Sequence, residues 1–234
     1  MIVSNSEVSE GRNLSEQAYD GIRKDILYGG LFPGRKLQID EMSDLYSIGV
    51  VPVREALNRL SSEGLVARKG NRGFFVTEIS IAELEELVKT RIWLEKKALS
   101  ESIKNATDAW EEALVIDYHR LARTQRRLTP DVGHQISEEW EKVHKRFHMR
   151  LLEGCGSKLL LEFCSGMMDQ AVRYRSISLN NNQNKQRREG AKLEHESILR
   201  ATIARDADTA TRLLQEHYQT TLNGLKEVLL VPQD

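Results

Sequence analysis

Beyond Glu78 apolar residues recur every three or four positions almost without interruption, whereas ahead of it glycine and proline break that period repeatedly. Leu14, Ala18, Tyr19, Ile22, Ile26 and Leu27 keep helical spacing up to Gly29-Gly30, which end it. LFPGRKL turns the chain, and Ile39 to Tyr46 reads as a short second helix with Asp40 near its start, broken by Ser47-Ile48-Gly49. A third helix follows from Pro52, whose missing N–H would be unpaired in a first turn anyway. Its inner face is Val53, Ala56, Leu57 and Leu60, and Gly64 is its stop. LVARKGNRGFFV then reads as a hairpin, two short apolar strands around a basic turn. Three helices and a hairpin predict a winged helix-turn-helix over residues 1–78. Residues 79–234 predict six helices, at about 80–103, 108–128, 135–154, 157–179, 187–205 and 207–230. Their breaks fall at LTPDVG, near GCGS, at SLNNNQNKQ and at RDAD. The expected fold class is mainly α: a winged head followed by an all-helical bundle.

Composition narrows the class. The chain has 234 residues, 40% of them hydrophobic and 29% charged, with a net charge of -1, and this excludes a disordered chain. No apolar run approaches the roughly 20 residues of a membrane span. The start, MIVSNSEVSEGRN, has neither the basic nor the apolar region of a secretory signal, so a cytoplasmic location is expected. Cys155 and Cys164 are the two cysteines and form no CxxC pair, which argues against a disulfide framework or a thiolate zinc site.

The stretch PVREALNRLSSEGLVARKGNRGFFV resembles the signature of the GntR family of bacterial transcription regulators, and the likeness runs from Leu14 to Thr77. It implies that the third helix enters the major groove of double-stranded operator DNA and that the wing reaches an adjacent groove. Arg54 then corresponds to a base-contacting arginine, and Lys69, Asn71 and Arg72 to the wing tip. An arginine one turn into such a helix can bond guanine O6 and N7 together. Where the family has Ser-Arg-Thr ahead of the proline, this chain has Gly49-Val50-Val51, so a different operator is expected. The two valines either touch thymine methyl groups or simply pack. Residues 1–80 hold 10 Lys+Arg against 11 Asp+Glu, so basicity is local, in residues 54, 59, 68, 69 and 72.

In the bundle the histidines carry the candidate chemistry. HKRFH puts His144 and His148 one helical turn apart, on a face with Trp140, Phe147 and Leu151. His195 precedes Ile198 and Leu199, and His217 sits amid Ala210, Leu213, Leu214, Thr221, Leu225 and Val228. His119 and His134 lack such company and read as surface residues. Four inward imidazoles on three helices need partners, either one another in a dry hydrogen-bonded cluster or a divalent metal. The pattern resembles the FCD effector domain, in the six-helix, VanR-like form of the FadR-type subfamily. That family shows D-x-x-F-H where this chain has H-K-R-F-H, and one histidine on each of two later helices. The resemblance implies a metal at His144, His148, His195 and His217, or at the last three alone. Neutral imidazoles suit zinc first, then nickel or another first-row metal, and disfavour magnesium and calcium.

Arg91 lies in an apolar seam with Leu84, Leu87, Leu94 and Ala98, and R-I-W-L-E resembles the family's R-x-x-L-E. The resemblance implies that Arg91 meets the carboxylate of a small organic acid; the alternative is an ion pair with Glu95. Arg175, after Cys164, Met168 and Ala171 on one face, is a further candidate anion contact. The expected protein is a homodimeric repressor released by such an acid, or else a regulator responding to metal alone. An enzyme is disfavoured: HES at 195–197 starts like HExxH but position 199 is leucine, no P-loop GK[ST] occurs, and no general base and nucleophile assemble.

Overall fold

The computed structural model describes residues 6–126, 137–179 and 185–230. It divides into two compact units, Met1–Ile79 and Ser80–Asp234.

The first unit contains α1 (Ser6–Tyr28), β1 (Lys36–Leu37), α2 (Ile39–Tyr46), α3 (Val50–Ser62), β2 (Val66–Arg68) and β3 (Phe74–Val76). α1 stops where Gly29 adopts φ 89°, and α3 where Gly64 adopts φ 74°, conformations that cost glycine little. α1 begins eight residues before the apolar period does, and α3 begins at Val50, two residues before the expected start. Pro52 still lies in the first turn of α3. Ile22, Met42, Val53, Leu57, Leu60 and Leu65 form a core with essentially no exposure. The hairpin is antiparallel, with Val66 opposite Val76 and Arg68 opposite Phe74. β1 adds a third strand on the other side of β3, pairing Leu37 with Phe74. Two residues are too short for an alternation signal, so the sequence reading missed this strand. The unit is a winged helix-turn-helix.

The second unit, among the described residues, is all helix: α4 (Ile81–Lys104), α5 (Asp108–Arg123), α6 (Glu138–Leu152), α7 (Lys158–Leu179), α8 (Lys185–Ile203) and α9 (Ala207–Leu229). Side-chain caps fix four starts: Ser80, Thr107, Ser137 and Asp206 each accept a backbone N–H from three residues on. α5 ends at Arg123, short of the expected 128. LTPDVG and His134 lie outside the described residues. The central helix, α4, packs on α7 and α9, and α6 packs on α4, α5 and α7. On α9 the buried stripe is Ala210, Leu214, His217, Tyr218, Leu222 and Leu225. It is rotated from the expected seam, leaving Leu213, Thr221 and Val228 half-buried and bringing Tyr218 inside. Cys155 is half-buried and Cys164 buried, both as free thiols, and burial pushes the Cys164 thiol up to about 12, so it is inert. None of the described helices is long and apolar enough to cross a membrane.

Candidate functional site

Amphipathic periodicity turns α6, α8 and α9 inward at His144, His148, His195 and His217, and all four are buried. One ring nitrogen from each lies within 4.8 Å of all the others. His148 Nε2 and His195 Nε2 are 3.1 Å apart. Two nitrogens on one zinc ion in tetrahedral geometry would stand about 3.4 Å apart, so the His148–His195 pair already stands near that spacing. His144, where the resemblance has aspartate, belongs to the cluster: its ring lies 4.6 Å from that of His148 and 5.1 Å from that of His195. Trp140 stacks on its face at 4.5 Å. The four could hold a metal ion. His119 is exposed.

The outer nitrogens are anchored. Tyr218 donates its hydroxyl proton to Glu95 Oε2 at 2.5 Å. The 3.1 Å contact between Tyr218 and His148 Nδ1 must therefore have the imidazole as donor, which leaves the lone pair on Nε2, facing His195. His217 Nδ1 donates to Glu194 Oε2 at 2.6 Å, which in the neutral ring leaves the lone pair on Nε2. Burial, reinforced by the neighbouring imidazoles, by Arg175 and, for His148, by Arg91, holds His144 and His148 well below their usual imidazole range. Neutral at physiological pH, they are ready ligands without proton competition. Burial and Glu95 raise the Tyr218 hydroxyl, which stays a donor.

The two inward arginines are both present beside the tetrad and both engaged. Arg91 Nε donates to Glu95 Oε1 at 2.7 Å, and its guanidinium lies 4.3 Å from the Tyr218 ring centre. The Glu95 pairing foreseen as the alternative is thus present. The two terminal nitrogens of Arg91 make no hydrogen bond among the described residues. Burial opposes the charge of Arg91, but Glu95 more than offsets it and keeps the guanidinium protonated. Arg175 is held by both oxygens of Glu141, at 2.8 and 2.7 Å, and Glu141 Oε2 stands 3.8 Å from His144 Nδ1. The sequence reading missed Tyr218, Glu141 and Glu194. The signal for Glu141 was available, since it falls three residues before His144 on the same helix face.

A pocket of about 130 Å³ opens beside His195, lined by Tyr118, Leu121, Trp140 and Ala191 with Arg126 and Lys192 at its polar side. A second, of about 340 Å³, lies beside His217 and Glu194. Arg91 and Arg175 line neither.

In the winged unit, Arg54 on α3 and Lys69, Asn71 and Arg72 at the wing are all exposed. The wing tip is a short 3-10 turn, Gly70–Arg72, with Gly70 and Gly73 at φ 50° and 94°. Lys69 pairs with Glu78 at 2.9 Å. Arg59, counted among the basic residues of this stretch, turns back into the fold: it meets Glu16 at 2.9 Å and covers the Tyr19 ring at 3.6 Å. The exposed positive charge of this stretch that does not turn back in this way comes from Arg54, Arg68, Lys69 and Arg72. The outer face of α3 also carries Val51, Glu55 and Asn58, all exposed.

Residues 14–76 match the bacterial regulatory proteins of the gntR family, and residues 86–220 match the FCD domain. The chain is 32% identical over 220 residues to BphR, an uncharacterized HTH-type transcriptional regulator of Paraburkholderia xenovorans (strain LB400), covering 94% of this chain and 88% of that one. It is 29% identical over 216 residues to GlaR, an HTH-type transcriptional repressor of Escherichia coli (strain K12), covering 92% and 97%. Among solved structures, E. coli McbR/YncC superposes with a TM-score of 0.74 at 21% identity over 92% of this chain and 97% of that one, a likeness of fold. With a GntR-type winged head and an FCD bundle in one chain, the protein belongs to the GntR family and is a DNA-binding transcriptional regulator, not an enzyme.

Proposed function

We propose that the protein is a homodimeric repressor that leaves its operator when a small organic acid binds beside a divalent metal, zinc in first place, held by His144, His148, His195 and His217. The observation that carries this reading is the buried tetrad, with its outward nitrogens anchored by Tyr218 and Glu194 so that lone pairs face inward. The all-nitrogen, neutral donor set suits zinc or nickel. A bound divalent ion would supply a positive centre that attracts a carboxylate. The imidazoles bring no negative charge, and Glu95 and Glu141 are each tied to an arginine, so an incoming acid is favoured electrostatically. Arg91 meets the acid through its terminal nitrogens, while Arg175 contributes through its charge and through Glu141. The description of GlaR as a repressor supports the direction of control.

On the DNA side, Arg54 reads a guanine in the major groove, and Lys69, Asn71 and Arg72 bring the wing to an adjacent groove or its phosphates. A two-fold dimer presents two such heads to a palindromic operator. The acid acts by binding one arrangement of the heads better than the other.

A second reading, response to metal alone, is favoured by the pairing of both arginines with buried glutamates. Native mass spectrometry of the full chain, before and after chelation, tests the shared part: one transition metal per subunit is expected, lost together with any bound organic mass. A dimer free of metal after preparation in zinc-replete medium overturns the metal centre. Operator titrations of the metal-loaded protein against a panel of organic acids separate the two readings, since metal alone suffices for release only in the second.

A further inference from the structure

The first turn of α3 carries two apolar side chains that pack on little. Val50 is 39% exposed and Val51 67% exposed, while Val53 and Leu57 on the opposite side of the same helix are fully buried. At about 100° per residue, Val51 falls in the arc that also carries Arg54, Glu55 and Asn58. Each of those three is exposed, so this is the outward side of the helix. A valine there has no hydrogen bond to offer a base edge. Set against an amide-like donor or a carbonyl acceptor it would strip that group of water without replacing the bond. The major groove presents one apolar group it can meet without that penalty, the C5-methyl of thymine.

We propose that Val51, flanked by Val50, is a specificity-determining residue that reads a thymine methyl beside the base pair met by Arg54. Three residues of helix rise span about 4.5 Å, and base pairs stack about 3.4 Å apart, so the thymine lies within one or two base pairs of the guanine. The inference rests on α3 being the groove-reading helix.

The experiment uses the full-length protein and a half-site selected from randomised duplex DNA. Each thymine is then replaced in turn by deoxyuridine, which removes the methyl and leaves the hydrogen-bonding edge intact. Affinity should fall about fourfold at one thymine near the guanine, the size of one methyl buried. Val51→Ala should lose a similar factor on the thymine duplex and become indifferent to uridine at that position. Its thermal unfolding should not change, because the side chain is exposed. Selected sites without such a thymine, or equal sensitivity to uridine in the wild type, Val51→Ala and Val50→Ala, overturn the inference. Arg54→Ala separates the two levels. If it abolishes selectivity while uridine has no effect, the valine assignment alone falls; if it too changes nothing, the groove-reading role of α3 falls with it.

Discussion

The winged unit and the bundle place their candidate functional residues in opposite ways. In the head, Arg54, Asn71 and Arg72 stand in solvent within a stretch of 19 residues, and none of them supports the core beneath. In the bundle, His144, His148, His195 and His217 come from three helices and form part of the core themselves, tied through Tyr218 and Glu95 to Arg91. A surface site can be altered with the fold indifferent to it. A buried polar site couples binding to folding, since every member left unpaired costs desolvation energy.

The largest effect expected from that contrast is at Glu95. Glu95→Ala leaves Arg91 buried without its carboxylate and Tyr218 without its acceptor, and should destabilise the bundle by about 3–5 kcal/mol. Urea unfolding measures it, and a loss under about 1 kcal/mol would mean that the network is not structural. On the head, Arg54→Ala should cost about 1–3 kcal/mol of operator affinity, roughly uniform binding to other DNA being kept, with unfolding unchanged. A parallel loss of stability there would erase the distinction between the two regions.

A pH titration sharpens it further. With His144 and His148 held below the usual range by burial, the unfolded chain takes up protons first as the pH falls below about 6.5. In chelated protein the stabilisation from these two groups is therefore present above that pH and lost below it, by up to about 1.4 kcal/mol per pH unit for each histidine. The head contains no histidine, so its own unfolding should lack this dependence. A bundle transition flat between pH 7.5 and 5.5 would contradict the burial of the tetrad. The smallest effect is expected from Lys69→Ala, which removes an exposed pair with Glu78 and one positive charge at the wing. Operator affinity should drop by no more than about 1 kcal/mol and become less steeply salt-dependent, while stability stays within about 0.5 kcal/mol.

Sequence pattern alone determined the mainly helical class and nearly all of the helices, because helical periodicity, glycine stops and side-chain caps act over a few neighbouring residues. It also singled out the four inward histidines and Arg91, each of which breaks an otherwise apolar stripe. Tertiary structure decided what a short-range signal cannot carry. β1 exists only because β3 is there to pair with it. The seam of α9 turned by part of a helical step to seat Tyr218 between Glu95 and His148, residues 123 and 70 positions away in the chain. Arg175 found Glu141 across 34 positions. Periodicity says which side of a helix is buried, but the partner that a buried polar group finds there depends on packing between helices, and that geometry belongs to the fold.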